Sequence, residues 1–165
     1  MTTGAFGRPL TSVSLEVGNV EPARQVAALA WRLAETGVDV LLVTSRISGR
    51  WLLPKGWPMQ DLTAAQSAAQ EAFEEAGVRG EAVEQPIGCY RYDKVLKDGS
   101  VLPCHVDVFA IHTGGLLDDW PEKMQRQRRW YSAPAAAKMV TEPDLARFLR
   151  DCEGLVGHAP QQAVE

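Results

Sequence analysis

An α/β domain, with a mixed sheet lying between helices, is predicted by three observations. Residues 38–45, Val-Asp-Val-Leu-Leu-Val-Thr-Ser, form a nearly continuous apolar run of the kind found in a strand buried on both faces. Residues 63–77 carry both ends of a helix. Thr63 and Gln66 form a T-x-x-Q capping box, and Gly77 stands where a left-handed C-terminal residue is needed. Asp98-Gly99 separates two strand-like stretches and marks a hairpin turn.

The remaining elements follow in chain order. Residues 26–33 read as a first strand, and Thr36-Gly37 turns the chain into the apolar run. Ile47-Ser48-Gly49 turns it again. Residues 51–53 make a short strand that leads into Pro54-Lys55-Gly56. In the capped helix, Ala65, Ala69, Ala72, Phe73 and Ala76 are the expected buried stripe, the alanines allowing close approach to a sheet. Strands are expected over 84–95, 101–111 and 127–131. A helix begins at Ala133-Pro134, with proline at an early helical position. A last amphipathic helix covers 142–152, apolar at Leu145, Phe148 and Leu149. Residues 1–22 read as irregular, 23–153 as one domain, and 154–165 as a polar tail.

Composition sets the class. The chain has 165 residues, 45% hydrophobic and 23% charged, enough for one domain with a sizeable core. Its formal net charge of −4 argues against a broad nucleic-acid surface. Cys89, Cys104 and Cys152 are widely spaced, with no C-x-x-C pair, which suits a reducing cytoplasm better than a disulfide or zinc framework. No apolar leader or membrane-length run is present, so a cytoplasmic location without membrane attachment is expected.

Glu71, Glu74 and Glu75 fall at i, i+3 and i+4, so one helical turn presents three carboxylates together. No Lys or Arg of that helix offsets them. Either the face is simply solvated or the compensation comes from outside, and hard divalent cations prefer oxygen ligands. The flanks favour the second reading. Residues 56–78 resemble the Nudix box, G-x5-E-x7-R-E-U-x-E-E-x-G-U with U aliphatic. Gly56, Glu71, Glu74, Glu75, Gly77 and Val78 match in unbroken register. Leu62 replaces the first glutamate, Gln70 replaces the arginine, and Ala72 is a small substitute for the larger aliphatic residue. The resemblance implies an α/β/α sandwich whose catalytic helix carries the glutamate cluster, and a metal-dependent phosphoanhydride hydrolase.

Such hydrolysis brings an oxygen nucleophile to a phosphorus shielded by negative charge, which divalent ions neutralise. Glu71 and Glu75 are the expected principal metal ligands, with Glu74 a third. Glu74 and Glu75 are also candidate catalytic carboxylates. The resemblance adds the backbone carbonyl of Lys55 as a ligand, Mg²⁺ as the cofactor and Mn²⁺ as a substitute. Glu122, in the loop before the last strand, is the candidate outside carboxylate or base. The alternative for Glu122 is a solvated loop acid, and His105 reads as a structural strand histidine rather than a catalyst. Asp61 is a candidate replacement for the missing glutamate at 62. Paired loss of that glutamate and of the arginine at 70 reads as a coupled replacement, because neither leaves the other's charge unpaired.

Arg46, Arg50 and Lys55 cluster before the box, and Lys123, Arg126, Arg128 and Arg129 gather later. Arg46, Arg50, Lys55, Arg126 and Arg128 are candidate phosphate-binding residues, Arg through its bidentate fork and Lys as a point charge. Trp57, Tyr90, Tyr92 and Trp120 are candidate base-stacking or packing aromatics. The Pro54-Lys55-Gly56 entry to the box and the later Arg128-Arg129-Trp130 resemble the diphosphoinositol polyphosphate and diadenosine polyphosphate phosphohydrolases. The implied partner is an anionic phosphorylated small molecule. Alternatives are a nucleoside triphosphate pyrophosphohydrolase, an RNA 5′-pyrophosphohydrolase and a non-catalytic nucleotide sensor with a degenerate box. Strand edges and Trp31 are candidate contacts for a homodimer.

Overall fold

Strand β1 (Ala23–Ala34) is the centre of the molecule, because its apolar run leaves neither face fit for water. Val26, Ala28 and Ala30 point into one core and Ala27, Leu29 and Trp31 into another, as the twofold alternation of a strand requires. β1 pairs antiparallel with β2 (Gly37–Thr44) and parallel with β6 (Val101–His112), so the sheet is mixed. The computed structural model describes residues 21–113 and 115–156.

Among the described residues the seven-stranded sheet runs β3-β2-β1-β6-β5, with β3 at Trp51–Leu52 and β5 at Gly88–Val95. Two strands lie off that path. β4 (Lys55–Gly56) pairs with β1, and β7 (Arg128–Ser132) pairs with β2. The β5–β6 hairpin turns at Asp98-Gly99, with Gly99 at φ 84 and Leu96 N–H donating to the Ser100 carbonyl at 2.8 Å. Helix α1 (Ala64–Ala76) covers one face, and α2 (Ala133–Met139) and α3 (Pro143–Val156) cover the other. The result is the expected α/β/α sandwich. No helix among the described residues is long and apolar enough to cross a membrane.

The capping box on α1 forms as predicted: Thr63 accepts from Gln66 N–H, and the Gln66 side chain accepts from Thr63 N–H. At the other end Gly77 is left-handed, φ 65, and donates to Phe73, while Val78 donates to Ala72. The buried stripe differs from the expected one. Ala65, Ala68, Ala72 and Ala76 are buried, Ala69 is half-buried, and Phe73 is 37% exposed. Phe73 follows Ala72 by one residue, about 100° round the helix, so it stands off that stripe and on the flank of α1.

Two other expectations shift. The strand expected from residue 84 begins only at Gly88, since Pro86 has no N–H for the ladder. Val83 and Ile87 still donate singly to the Ala110 and Val108 carbonyls. The last helix runs beyond 152 to Val156, burying Cys152 and Val156, so 154–156 belong to the domain. Residues 1–20 and 157–165, most of the two expected irregular ends, lie outside the described residues.

Candidate active site

The glutamate face of α1 looks into a cleft of about 930 Å³, whose walls come from β4, β5, the β2–β3 turn and the loop before β7. That volume suits a nucleotide-sized or polyphosphorylated ligand. Glu71, Glu74, Glu75 and Glu122 all line it, as do Arg46, Arg50, Lys55 and Arg126.

Glu71 and Glu75 face one another. Burial, more than any neighbour, pushes the Glu71 carboxyl up to about 7, with Glu74 and Glu122 adding to the rise and a hydrogen bond with Glu75 opposing it. Burial likewise raises Glu75 to about 8 against the pull of Arg126. Glu75 Oε2 accepts the Lys55 N–H at 3.2 Å, and Oε1 lies 3.2 Å from Arg126 Nη2. In an extended strand a residue's N–H and C=O share one edge, which directs the Lys55 carbonyl toward the same side. Glu74 is turned aside, accepting from Gln70 Nε2 at 3.1 Å. Gln70 therefore keeps one hydrogen bond of an orienting residue without its charge.

Gly56 is required by contact. A methyl at that position would overlap the Glu71 carboxylate. Gly56→Ala should therefore displace Glu71 and lower hydrolysis by about 10²-fold, the scale of a one-ångström misplacement, while the melting temperature stays near that of the unaltered protein. An unchanged kcat would show that Glu71's seat is not needed.

Among the described residues no three His, Cys, Asp or Glu side chains already stand as a metal-ligating group. The donor chemistry nonetheless fits a hard divalent cation: a half-buried and a buried carboxyl, facing one another, whose pKa values are raised chiefly by burial. The sign of the pH effect follows. Both groups hold protons to higher pH in the folded state than near 4.5, so their contribution to stability is complete below that value. It is lost as pH rises through about 7 and 8. The metal-free melting temperature should fall from pH 5 to pH 8.5, and excess Mg²⁺ should flatten the decline, since deprotonation favours the metal. A metal-free curve that rises over that range would refute the assignment.

The loop before β7 is tied to the end of α1, whose own last turn carries no basic residue. Glu122 N–H donates to the Glu74 carbonyl at 3.0 Å, Trp120 Nε1 to Glu75 at 3.0 Å, Arg128 Nη1 to Ala76 at 2.8 Å, and Leu117 N–H to Gly77 at 2.9 Å. Four orphan carbonyls are satisfied in this way. The same contacts bring Glu122 into the cleft, where it pairs with Arg46 at 3.6 Å and Arg126 at 3.3 Å.

The basic residues divide. Arg46 and Arg50 stand at the mouth, with Arg50 also reaching Glu142 at 3.4 Å. Lys55 Nζ donates to Tyr92 Oη at 2.8 Å, and burial followed by Lys94 lowers its pKa. Arg128 corrects the expectation of phosphate binding. It caps Ala76 and stacks on Trp120, 3.8 Å from the ring centroid, and does not line the cleft. Lys123 also turns away, to the Asp118 carbonyl at 2.6 Å.

His105 pairs with Asp107 at 3.0 Å on β6, a structural contact outside the cleft. Asp61 adopts left-handed φ 67 and does not line the cleft either, so it does not stand in for a glutamate at 62. Tyr90 is buried in the core and Trp120 holds the loop, leaving Trp57 and Tyr92 as aromatics of the cleft. Gln25 and Lys94 also line it. Lys94 shares Tyr92's alternation on β5, a signal that period-two reading could have used.

Leu62 and Gln70, the two departures from the box, line a second cleft of about 850 Å³ with Phe73 and Leu117, on the other flank of α1. A coupled replacement makes a definite prediction for restoring one of the two. Leu62→Glu alone should give no gain in turnover, and a clear increase in kcat would overturn that reading.

Comparison with known proteins agrees with this geometry. The NUDIX domain family model matches residues 23–152. Nudix hydrolase 12, mitochondrial, of Arabidopsis thaliana is 32% identical over 117 residues, 69% of this chain and 58% of that protein. Diphosphoinositol polyphosphate phosphohydrolase 3-alpha of Mus musculus is 29% identical over 120 residues, 71% of this chain and 68% of that protein. Among solved structures, a C. elegans Ap4A hydrolase binary complex superposes with a TM-score of 0.62 at 16% identity, covering 82% of this chain and 98% of that one. The architecture is thus an α/β/α sandwich of the Nudix type. The chain belongs to the NUDIX domain family, and its matched segments span 58%, 62% and 60% of three Arabidopsis relatives.

Proposed function

We propose that this domain hydrolyses a phosphoanhydride bond in a dinucleoside polyphosphate or a diphosphoinositol polyphosphate, with Mg²⁺ as cofactor. One observation carries the proposal: a single cleft joins the Glu71–Glu75 pair to Arg46, Arg50 and Lys55. Oxygen donors lie at its floor and cations at its wall, the charge order that a metal-bound polyphosphate presents.

Glu71 and Glu75, with the Lys55 carbonyl, would hold the cation, and Glu74 would join them directly or through water. The bound cation supplies charge neutralisation at phosphorus and a lowered pKa for the attacking water. Glu122, oriented by its pairing with Arg46 and Arg126, would accept a proton from that water. Arg46 and Arg50, half-exposed at the mouth, would receive the distal phosphates. Trp57 is 45% exposed on the same wall and offers a ring to a base, which favours a dinucleoside substrate over an inositol.

A substrate panel tests the proposal. Diadenosine polyphosphates, diphosphoinositol polyphosphates and nucleoside triphosphates are offered with Mg²⁺, with Trp57→Ala as the second protein. Turnover of diadenosine polyphosphates, with KM raised in Trp57→Ala, is expected. Preference for nucleoside triphosphates would replace this substrate class. Binding without product would instead establish a sensor.

A further inference from the structure

We propose that Arg126 is the internal counter-cation of Glu75 and competes with the divalent cation for that carboxylate. The inference rests on the metal-dependent reading above. Arg126 was expected to bind substrate phosphate. Its side chain is instead only 8% exposed and already committed inside the protein. Nη2 lies 3.2 Å from Glu75 Oε1 and 3.3 Å from Glu122 Oε1, while Nη1 donates to the Thr44 carbonyl at 3.0 Å. Its Nε is buried with no partner. The fork is thus held by three acceptors without being fully satisfied, an arrangement that leaves it room to settle elsewhere.

Both oxygens of Glu75 are already engaged, each with one donor. Oε2 receives the Lys55 N–H, and Arg126 takes Oε1. A guanidinium and a divalent cation sharing one carboxylate repel each other, the more strongly because Glu75 is buried. Arg126 must therefore yield Oε1, in whole or part, as metal loads. Thr44 and Glu122 do not depend on Glu75, so they keep the guanidinium beside the cleft after release. Its charge is then available to a phosphate. By reciprocity, a phosphate that draws Arg126 away from Glu75 strengthens metal binding.

Mn²⁺ affinity, read from free Mn²⁺ by electron paramagnetic resonance at pH 8 without nucleotide, decides the matter. Arg126→Gln should bind Mn²⁺ at least about tenfold more tightly than the unaltered protein, the effect of about 1.4 kcal/mol. Equal or weaker binding would overturn the proposal. A second readout uses the unaltered protein, so it stands even where Arg126→Gln fails to fold. In arginine side-chain NMR spectra, the Arg126 signal, identified through Arg126→Lys, should move as Mg²⁺ saturates the site. A signal that stays fixed at saturation would also overturn it. Absence of metal binding by all these proteins would remove the metal-site reading itself, and this inference with it.

Discussion

Glu75→Gln should lower Mg²⁺-dependent phosphoanhydride hydrolysis by about 10²–10³-fold in kcat while leaving a folded protein. The magnitude is that of removing one preorganised electrostatic group from a buried site. Glu75 combines three relationships found together at no other residue of the cleft. It meets Glu71, accepts the Lys55 N–H and pairs with Arg126. The amide keeps the volume and one carbonyl acceptor, so packing against β4 should survive. What disappears is the negative charge that would hold a cation. Steady-state kinetics with far-ultraviolet circular dichroism make the check. Retention of more than about a tenth of wild-type kcat would move the principal metal-binding role off Glu75.

The second large effect concerns stability and reaches the site through the backbone. Gly77→Ala forces an L-residue into φ 65, worth about 1–2 kcal/mol. It also sets a methyl 2.8 Å from Arg128 Nη1 and 3.1 Å from Trp120 Cβ. Those two side chains hold the loop that carries Glu122 and Arg126. A loss of about 2 kcal/mol, or roughly 4–8 °C in melting temperature for a chain of this size, should accompany a drop in kcat. Gly77→Asn separates the causes, because asparagine tolerates the left-handed region yet keeps the overlap. If Gly77→Asn matched the unaltered protein in both stability and kcat, backbone strain alone would be responsible and the loop contact would carry no weight.

Much of the fold was legible because its signals are local. Thr63 and Gln66 cap one end of α1 across three residues, and Gly77 closes the other with bonds to Ala72 and Phe73. The apolar runs at β1 and β2, and the Asp98-Gly99 turn, are equally short-range. The spacing of Glu71, Glu74 and Glu75 placed three carboxylates on the same cleft before any contact was known. Reading went wrong on the buried face of α1. Phe73 was expected on the buried stripe, but it follows Ala72 by about 100° and sits on the flank of α1.

Local pattern carries the family, the capped helix, its acidic face and the strands around it, since periodicity, capping and glycine requirements act within a few residues. Which cations serve that face depends on long-range packing. Arg126 and Arg128 stand two residues apart and look alike in sequence, yet one reaches Glu75 and the other caps Ala76. Leu62 and Gln70 sit inside the box but line a different cleft. These assignments depend on partners about 50 residues away, as in Arg126–Glu75 and Arg128–Ala76, which are 51 and 52 residues apart. Contacts at that separation exist only once the loop has docked on the end of α1, and docking is driven by orphan carbonyls that no local pattern assigns to a partner.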